Sequence, residues 1–190
     1  ADVSCCQEVS AKRARKIAEA LGQNFYCAGD VAIFSNYAIT ESRSKIMPAA
    51  DNHVYIEAGI KIGREQLYIG TVHLTYSRGF EMNAERLAEG HHLVDLISSH
   101  KDSFILTGDM NAAPDSTIIK QIQQNLKSAG PDFSRATWTT KHFSYDSFEA
   151  DSLDWRLDYI FVTPEIEVIT SDVIDTSFSD HLPVLAEVDV

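Results

Sequence analysis

Apolar and polar residues alternate along this chain in short runs, and the periods of those runs predict a mixed α/β architecture. Val54, Ile56, Ala58, Ile60 and Ile62 occupy every second position, as in a strand with one buried face. After Gly63-Arg64-Glu65-Gln66, the run Leu67 to Leu74 answers as its antiparallel partner. Val3, Cys5 and Cys6 mark a core strand ending at Gln7-Glu8, Val31 to Ser35 a short buried strand, and Phe104 to Thr107 a central one. Helical spacing takes over between them. Ser10 caps a helix whose face is Ala14, Ile17, Ala18 and Leu21 and which closes at Gly22. Leu87, Val94 and Ile97, with Gly90 and His91 beside them, predict an amphipathic helix over 82–99. Ile118, Ile119, Ile122 and Leu126 predict another, begun by Pro114-Asp115-Ser116 and stopped by Gly130-Pro131.

Toward the C-terminus, Leu157 to Val162 reads as a strand opening with an acid. Ile166, Val168, Val173 and Ile174 suggest further short strands, and Pro183 to Val190 the last. Residues 36–50 read as a polar connection with Arg43 and Lys45 in solvent. Residues 132–156, which hold Trp138 and Trp155, read as a long irregular loop, and such loops in compact domains are usually functional or mobile. Many strands with helices interleaved irregularly point to mixed sheets covered by helices rather than a regular doubly wound fold.

Composition narrows the class. A chain of 190 residues without a low-complexity linker or repeat fits one domain over 1–190. With 28 acidic against 16 basic side chains the formal charge is −12, which weakens any case for tight sequence-independent nucleic-acid binding. A nuclease stays open, because a bound divalent cation can supply local positive charge. Cys5, Cys6 and Cys27 follow no metal-ligand spacing and imply buried free thiols, which favours a reducing, cytoplasmic compartment. No apolar run is long enough to span a bilayer, and Ala1 leaves open a leader removed upstream.

The candidate chemistry gathers where strands end. Gly108-Asp109-Met110-Asn111 is either a turn or a carboxylate and an amide addressing one ligand, and its company favours the second reading. Glu8, His73, Asp109, Asn111, Asp158, Asp180 and His181 all fall at strand tips. His91, His92 and His100 have no partner spacing. Acids, an amide and two histidines suit metal-assisted phosphoester hydrolysis, since Mg²⁺ prefers oxygen ligands and one or two carboxylates hold it.

Gln7-Glu8, Val72-His73-Leu74, Gly108-Asp109-Met110-Asn111, Leu157-Asp158-Tyr159-Ile160-Phe161 and Ser179-Asp180-His181-Leu182-Pro183-Val184 together resemble the successive motifs of the endonuclease/exonuclease/phosphatase superfamily. The resemblance implies a four-layer α-β-β-α sandwich of two mixed β-sheets, with a Mg²⁺-dependent site at one edge where Mn²⁺ substitutes. It implies Glu8 as principal metal ligand and Asp180 as a second metal-side carboxylate. Asp109 would orient or activate water, Asn111 would bond the phosphate, and His181, oriented by Asp158, would contact the scissile phosphate. His73 matches the family's other site histidine, for which Glu57 is a loosely aligned partner.

The family opens with a further core strand whose asparagine reaches the metal. The chain begins after that point, so a strand of about 5–6 residues is expected to be absent and a sheet edge exposed. The leading expectation is a hydrolase of small-molecule or lipid-headgroup phosphoesters. A nuclease or DNA-repair endonuclease is the alternative within the class, and a non-catalytic binding module the alternative outside it. Substrate choice is expected in loops 36–53, 76–82 and 132–156, and no protein partner is inferable.

Overall fold

In a computed structural model describing residues 1–48 and 53–190, the chain opens with β1 (Val3–Cys6), α1 (Ala11–Leu21), β2 (Asn24–Ala28), β3 (Val31–Ser35) and β4 (Ile39–Ile46). It continues through β5 (Val54–Ile62), β6 (Glu65–His73), α2 (Ala84–Ser98), β7 (Phe104–Asp109), α3 (Thr117–Ile122) and β8 (Lys127–Ser128). The small hairpin β9 (Phe143–Tyr145) and β10 (Phe148–Ala150) precedes β11 (Asp158–Val162), β12 (Glu167–Val173) and β13 (Val184–Asp189). No helix among the described residues is long and apolar enough to cross a membrane.

The period-2 patterning of the central strands creates two cores, one on each face of a six-stranded sheet ordered β4-β5-β6-β7-β11-β8. Phe104, Leu106, Tyr159 and Phe161 point toward α2 and α3, where they meet Leu93, Ile97, Ile118 and Ile122. Their alternates Ile105, Ile160 and Val162, with Ile56, Ala58 and Ile60, point the other way onto Val31 and Ile33 of β3 and onto Val168, Ala186 and Val188 of β12 and β13. The opposite face of β3, Ala32 and Phe34, is covered by Ala14 and Ala18 of α1. Burying each of these large side chains contributes about 1.5–3 kcal/mol. The layers are therefore helix, sheet, sheet, helix, as expected.

The second sheet layer differs from the expectation of two mixed sheets. Among the described residues only the six-stranded sheet is mixed, with β6 and β7 parallel and its other pairings antiparallel. The facing layer is in two antiparallel pieces, β1-β3-β2 and β12-β13. Among the described residues β1 pairs only with β3 and β13 only with β12, so each leaves one edge unpaired.

Several local expectations are corrected. Residues 24–28 form a strand that local patterning did not reveal. The polar connection expected at 36–50 contains β4, an edge strand whose residues are mostly exposed; Ala49 and Ala50 lie outside the described residues. Ser10 caps α1 and Gly22 closes it in the left-handed region (φ 66°), but Leu21 is exposed. The buried stripe of α2 is Arg86, Glu89, Gly90, Leu93 and Ile97, while His91 is exposed. The third helix stops at Ile122, and Leu126 is buried just beyond it. Residues 166–174, read as short strands, lie mostly in the single strand β12.

What positions the site is the register. His73 of β6 stands opposite Asp109 of β7, and Asp109 opposite Asp158 of β11. Gly108 makes this possible: a Cβ there would lie 2.1 Å from the Val72 carbonyl oxygen.

Candidate active site

The three register-matched residues carry a line of alternating acids and imidazoles along the sheet edge. Asp158 Oδ2 accepts from His181 Nδ1 at 2.9 Å, and His181 Nε2 lies 3.8 Å from Asp109 Oδ2. On the other side His73 Nε2 lies 3.7 Å from the same Asp109 oxygen, and its Nδ1 donates to Asp30 Oδ2 at 2.7 Å. A carboxylate can only accept, so each ring carries a proton on Nδ1 and turns Nε2 toward Asp109. Asp109 is buried and central, shared by both rings.

The charges follow from this geometry. Burial, then the charge of Asp158, raises the Asp109 carboxyl to about 6 against the pull of both histidines. Burial alone would lower His181, but the hydrogen bond to Asp158 and the charges of Asp158, Asp109 and Asp180 outweigh it and push the ring up to about 9. His73 is also raised: burial opposes, and Asp30, Asp109 and Glu8 prevail. Burial works against ionisation of Asp30, yet the bond from His73 holds its carboxyl below the usual range. A central carboxyl is thus held beside two cation-favouring rings.

Backbone scaffolding comes from the 132–156 segment, which is more ordered than the sequence suggests. Trp138 bridges to both Trp155 and His181. Thr137 O accepts from Leu182 N at 2.7 Å, while Thr137 Oγ1 accepts from the backbone N–H groups of Leu157 and Asp158 at 3.0 and 3.2 Å. Phe80, Trp138 and Leu157 form a small separate core with Phe143, Phe148 and Trp155 packed on it.

Asn111 departs from the expected side-by-side presentation with Asp109. Its φ is +46°, so the chain is not extended there. Its backbone N–H donates to Asp109 Oδ1 at 2.8 Å, its Nδ2 donates to Leu74 O at 2.8 Å, and buried Arg86 donates to the carbonyls of Met110 and Asn111. Gly108 and Asp109 end β7, and the chain bends only after them, with the Asp109 carboxylate accepting from Asn111 N–H as in an Asx turn that is part of the site. An amide nitrogen has two hydrogens, which leaves a second donor for a ligand.

The structure brings His73, Asp109, Asp158 and His181 together and sets Asn111 against Asp109. Glu8 lies just beyond β1 in the left-handed region (φ 55°), exposed, on the His73 side, and Asp180 neighbours His181 on the other. Among the described residues neither belongs to the two groups of three close ligand atoms, Asp109-Asp158-His181 and Asp30-His53-His73. Glu57 is not the partner of His73: its carboxylate takes Arg43, Tyr55 and His100, so Arg43 and His100 are not simply solvated. Asp30 is the missed partner, an acid at the tip of β3 that the criterion applied to Asp158 would have found.

The sequence matches the profile of the Endonuclease/Exonuclease/phosphatase family over residues 1–181. The chain belongs to this family. Its fold recurs in an endonuclease/exonuclease/phosphatase from Bacteroides vulgatus, with TM-score 0.78, 18% identity, and coverage of 100% of this chain and 85% of that one. The catalytic domain of human Nocturnin with bound sulfate gives TM-score 0.74 at 22% identity, covering 99% and 80%. TDP2 of D. rerio, complexed with a single-strand DNA product, gives TM-score 0.80 at 17% identity, covering 100% and 86%. No curated protein matches the sequence. A family that joins nucleases and phosphatases is a family of phosphoester hydrolases.

Proposed function

We propose that the chain hydrolyses phosphoesters with a divalent cation, Mg²⁺ or Mn²⁺, acting on a small-molecule or lipid-headgroup substrate. The observation that carries the reading is the line Asp30, His73, Asp109, His181, Asp158 on one sheet edge. Asp109, with its carboxyl near 6, suits accepting a proton from water close to neutral pH. The His181 imidazolium and an Asn111 amide hydrogen would meet the growing charge on the phosphoryl oxygens. Asp30 keeps the His73 ring turned toward the same point.

The donor set fits a hard cation. Glu8 and Asp180 offer oxygens at the rim, and burial raises the thiols of Cys5, to about 12, and of Cys6, so neither supplies a soft thiolate. Glu8 and Asp180 would hold the ion, which would supply Lewis-acid polarisation of a phosphoryl oxygen.

The net charge of −12 favours a small substrate over a nucleic acid, whose binding draws on Lys and Arg. A nuclease reading has one observation of its own: Phe178, 96% exposed two residues before Asp180, offers a face on which a base could stack. A panel of simple phosphodiesters, phosphomonoesters, phosphoinositides, sphingomyelin, RNA, and nicked and abasic DNA, assayed with Mg²⁺, separates these readings. Turnover that a chelator abolishes and Mg²⁺ or Mn²⁺ restores is expected. Full turnover in chelator overturns the metal assignment, and no turnover on any member favours a binding module.

A further inference from the structure

We propose a second cation site, formed by Asp30, His53 and His73, that takes an imidazole-preferring divalent ion such as Zn²⁺ and thereby blocks hydrolysis. One ligand atom from each of the three lies within 4.8 Å of the others. The rings of His53 and His73 meet edge to face, 5.1 Å between centroids and 84° between planes. His53 Nδ1 is buried without a hydrogen-bond partner among the described residues, and such an orphan costs about 1–3 kcal/mol. A bound cation would remove that cost.

The backbone of His53 is tied down, because its carbonyl accepts from Met47 N at 2.8 Å and Val54 begins β5 next to it. Two nitrogens and one carboxylate oxygen form the donor set of three-ligand zinc sites, with the remaining position open to water. Zinc bonds of about 2.0–2.1 Å at tetrahedral angles separate ligand atoms by about 3.3 Å. The 2.7 Å between His73 Nδ1 and Asp30 Oδ2 needs only a small opening to reach that separation. Nearby charge favours the ion too, since Glu8 and Asp109 both act on His73. Mg²⁺, which prefers an all-oxygen shell, is a poor competitor here.

Metal at His73 Nδ1 displaces the proton shared with Asp30 and turns a ring of the catalytic line into a ligand. The inhibitory half of the proposal rests on the hydrolase reading, and the binding half does not. Zn²⁺ affinity is therefore measured first on metal-free protein by competition with a chromogenic chelator, for wild type, His53→Gln, His53→Asn and the surface control His142→Gln. Melting curves identify any variant that fails to fold.

Both His53 variants are expected to raise the dissociation constant by about tenfold or more, in the range seen when a metal's ligand shell is disturbed, with His142→Gln unchanged. Unchanged affinity in folded His53 variants overturns the site. In Mg²⁺-supported turnover, the inhibitory Zn²⁺ concentration is expected to rise by the same factor in the His53 variants. Equal inhibition of variant and wild type overturns the inhibitory role, and absence of turnover on every substrate counts against the hydrolase reading while leaving the titration to judge the site.

Discussion

Replacing His181 by alanine removes one of the two cation-favouring rings that flank Asp109. His181 Nε2 turns toward Asp109 at 3.8 Å, and a phosphoryl oxygen that accepts a hydrogen bond from Nε2 would lie about 4 Å from the centre of the ring's unit charge. At an effective dielectric near 20 that interaction is about 4 kcal/mol, of which only the part growing between ground and transition state accelerates reaction. Taking about half of it, and adding part of a charge-assisted hydrogen bond, gives about 2–4 kcal/mol, or about 30- to 1000-fold in turnover. Folding should suffer far less. The ring is 26% exposed, and its backbone stays fixed by Ser179 Oγ and by the Trp138 bridge. A stability loss within about 2 kcal/mol is expected. Turnover of the best substrate and the melting temperature, measured side by side, decide the matter. Asp158→Asn, which keeps the shape but removes the charge, should lose a similar or smaller factor. Turnover within about threefold of wild type in His181→Ala, with a lowered melting temperature, would refute the catalytic assignment and make the histidine part of the scaffold.

Glu57 should make the fold acid-sensitive. Burial opposes its ionisation, but bonds from His100, Arg43 and Tyr55 bring the carboxyl from 4.5 down to about 2, so its contribution is present above 4.5 and is lost as pH falls toward 2. The full shift would be about 3 kcal/mol, and because Arg43 is 45% exposed, screening reduces it to about 1–2 kcal/mol. Denaturant melts of wild type and Glu57→Gln should differ at pH 7 and converge toward pH 2.5; a constant gap would show that the carboxylate's charge is irrelevant. Gly108→Ala forces a Cβ to 2.1 Å from the Val72 carbonyl oxygen and should cost about 3 kcal/mol or more while displacing Asp109. A melting temperature equal to wild type would show that β6 and β7 can separate at no cost.

Local rules carried far along this chain. Alternation at 54–62 and 67–74 is a property of neighbours, and it became β5 and β6 with few changes at the ends. Ser10 and Gly22 act on their own helix ends through backbone bonds within a few residues, which is why those boundaries were legible. The tips at Asp109, Asp158 and His73 could be read because a strand's end follows from where its apolar run stops. Their conjunction was legible only through the family's motif order.

Other features are set by contacts that no window of sequence contains. β4 is a strand because β5 offers it a backbone edge, although its own residues are mostly polar and exposed. Arg86 and Glu89 face inward on α2, against the usual reading of charged positions, because distant groups need them: Arg86 serves the Met110 and Asn111 carbonyls, and Glu89 accepts from Thr75. Asp30 reaches His73 across 43 positions, and His181 reaches Asp158 across 23. Side-chain period and caps fix which residues turn inward along an element, whereas the pairing of charges depends on register between elements, and register is an energy shared by the whole sheet.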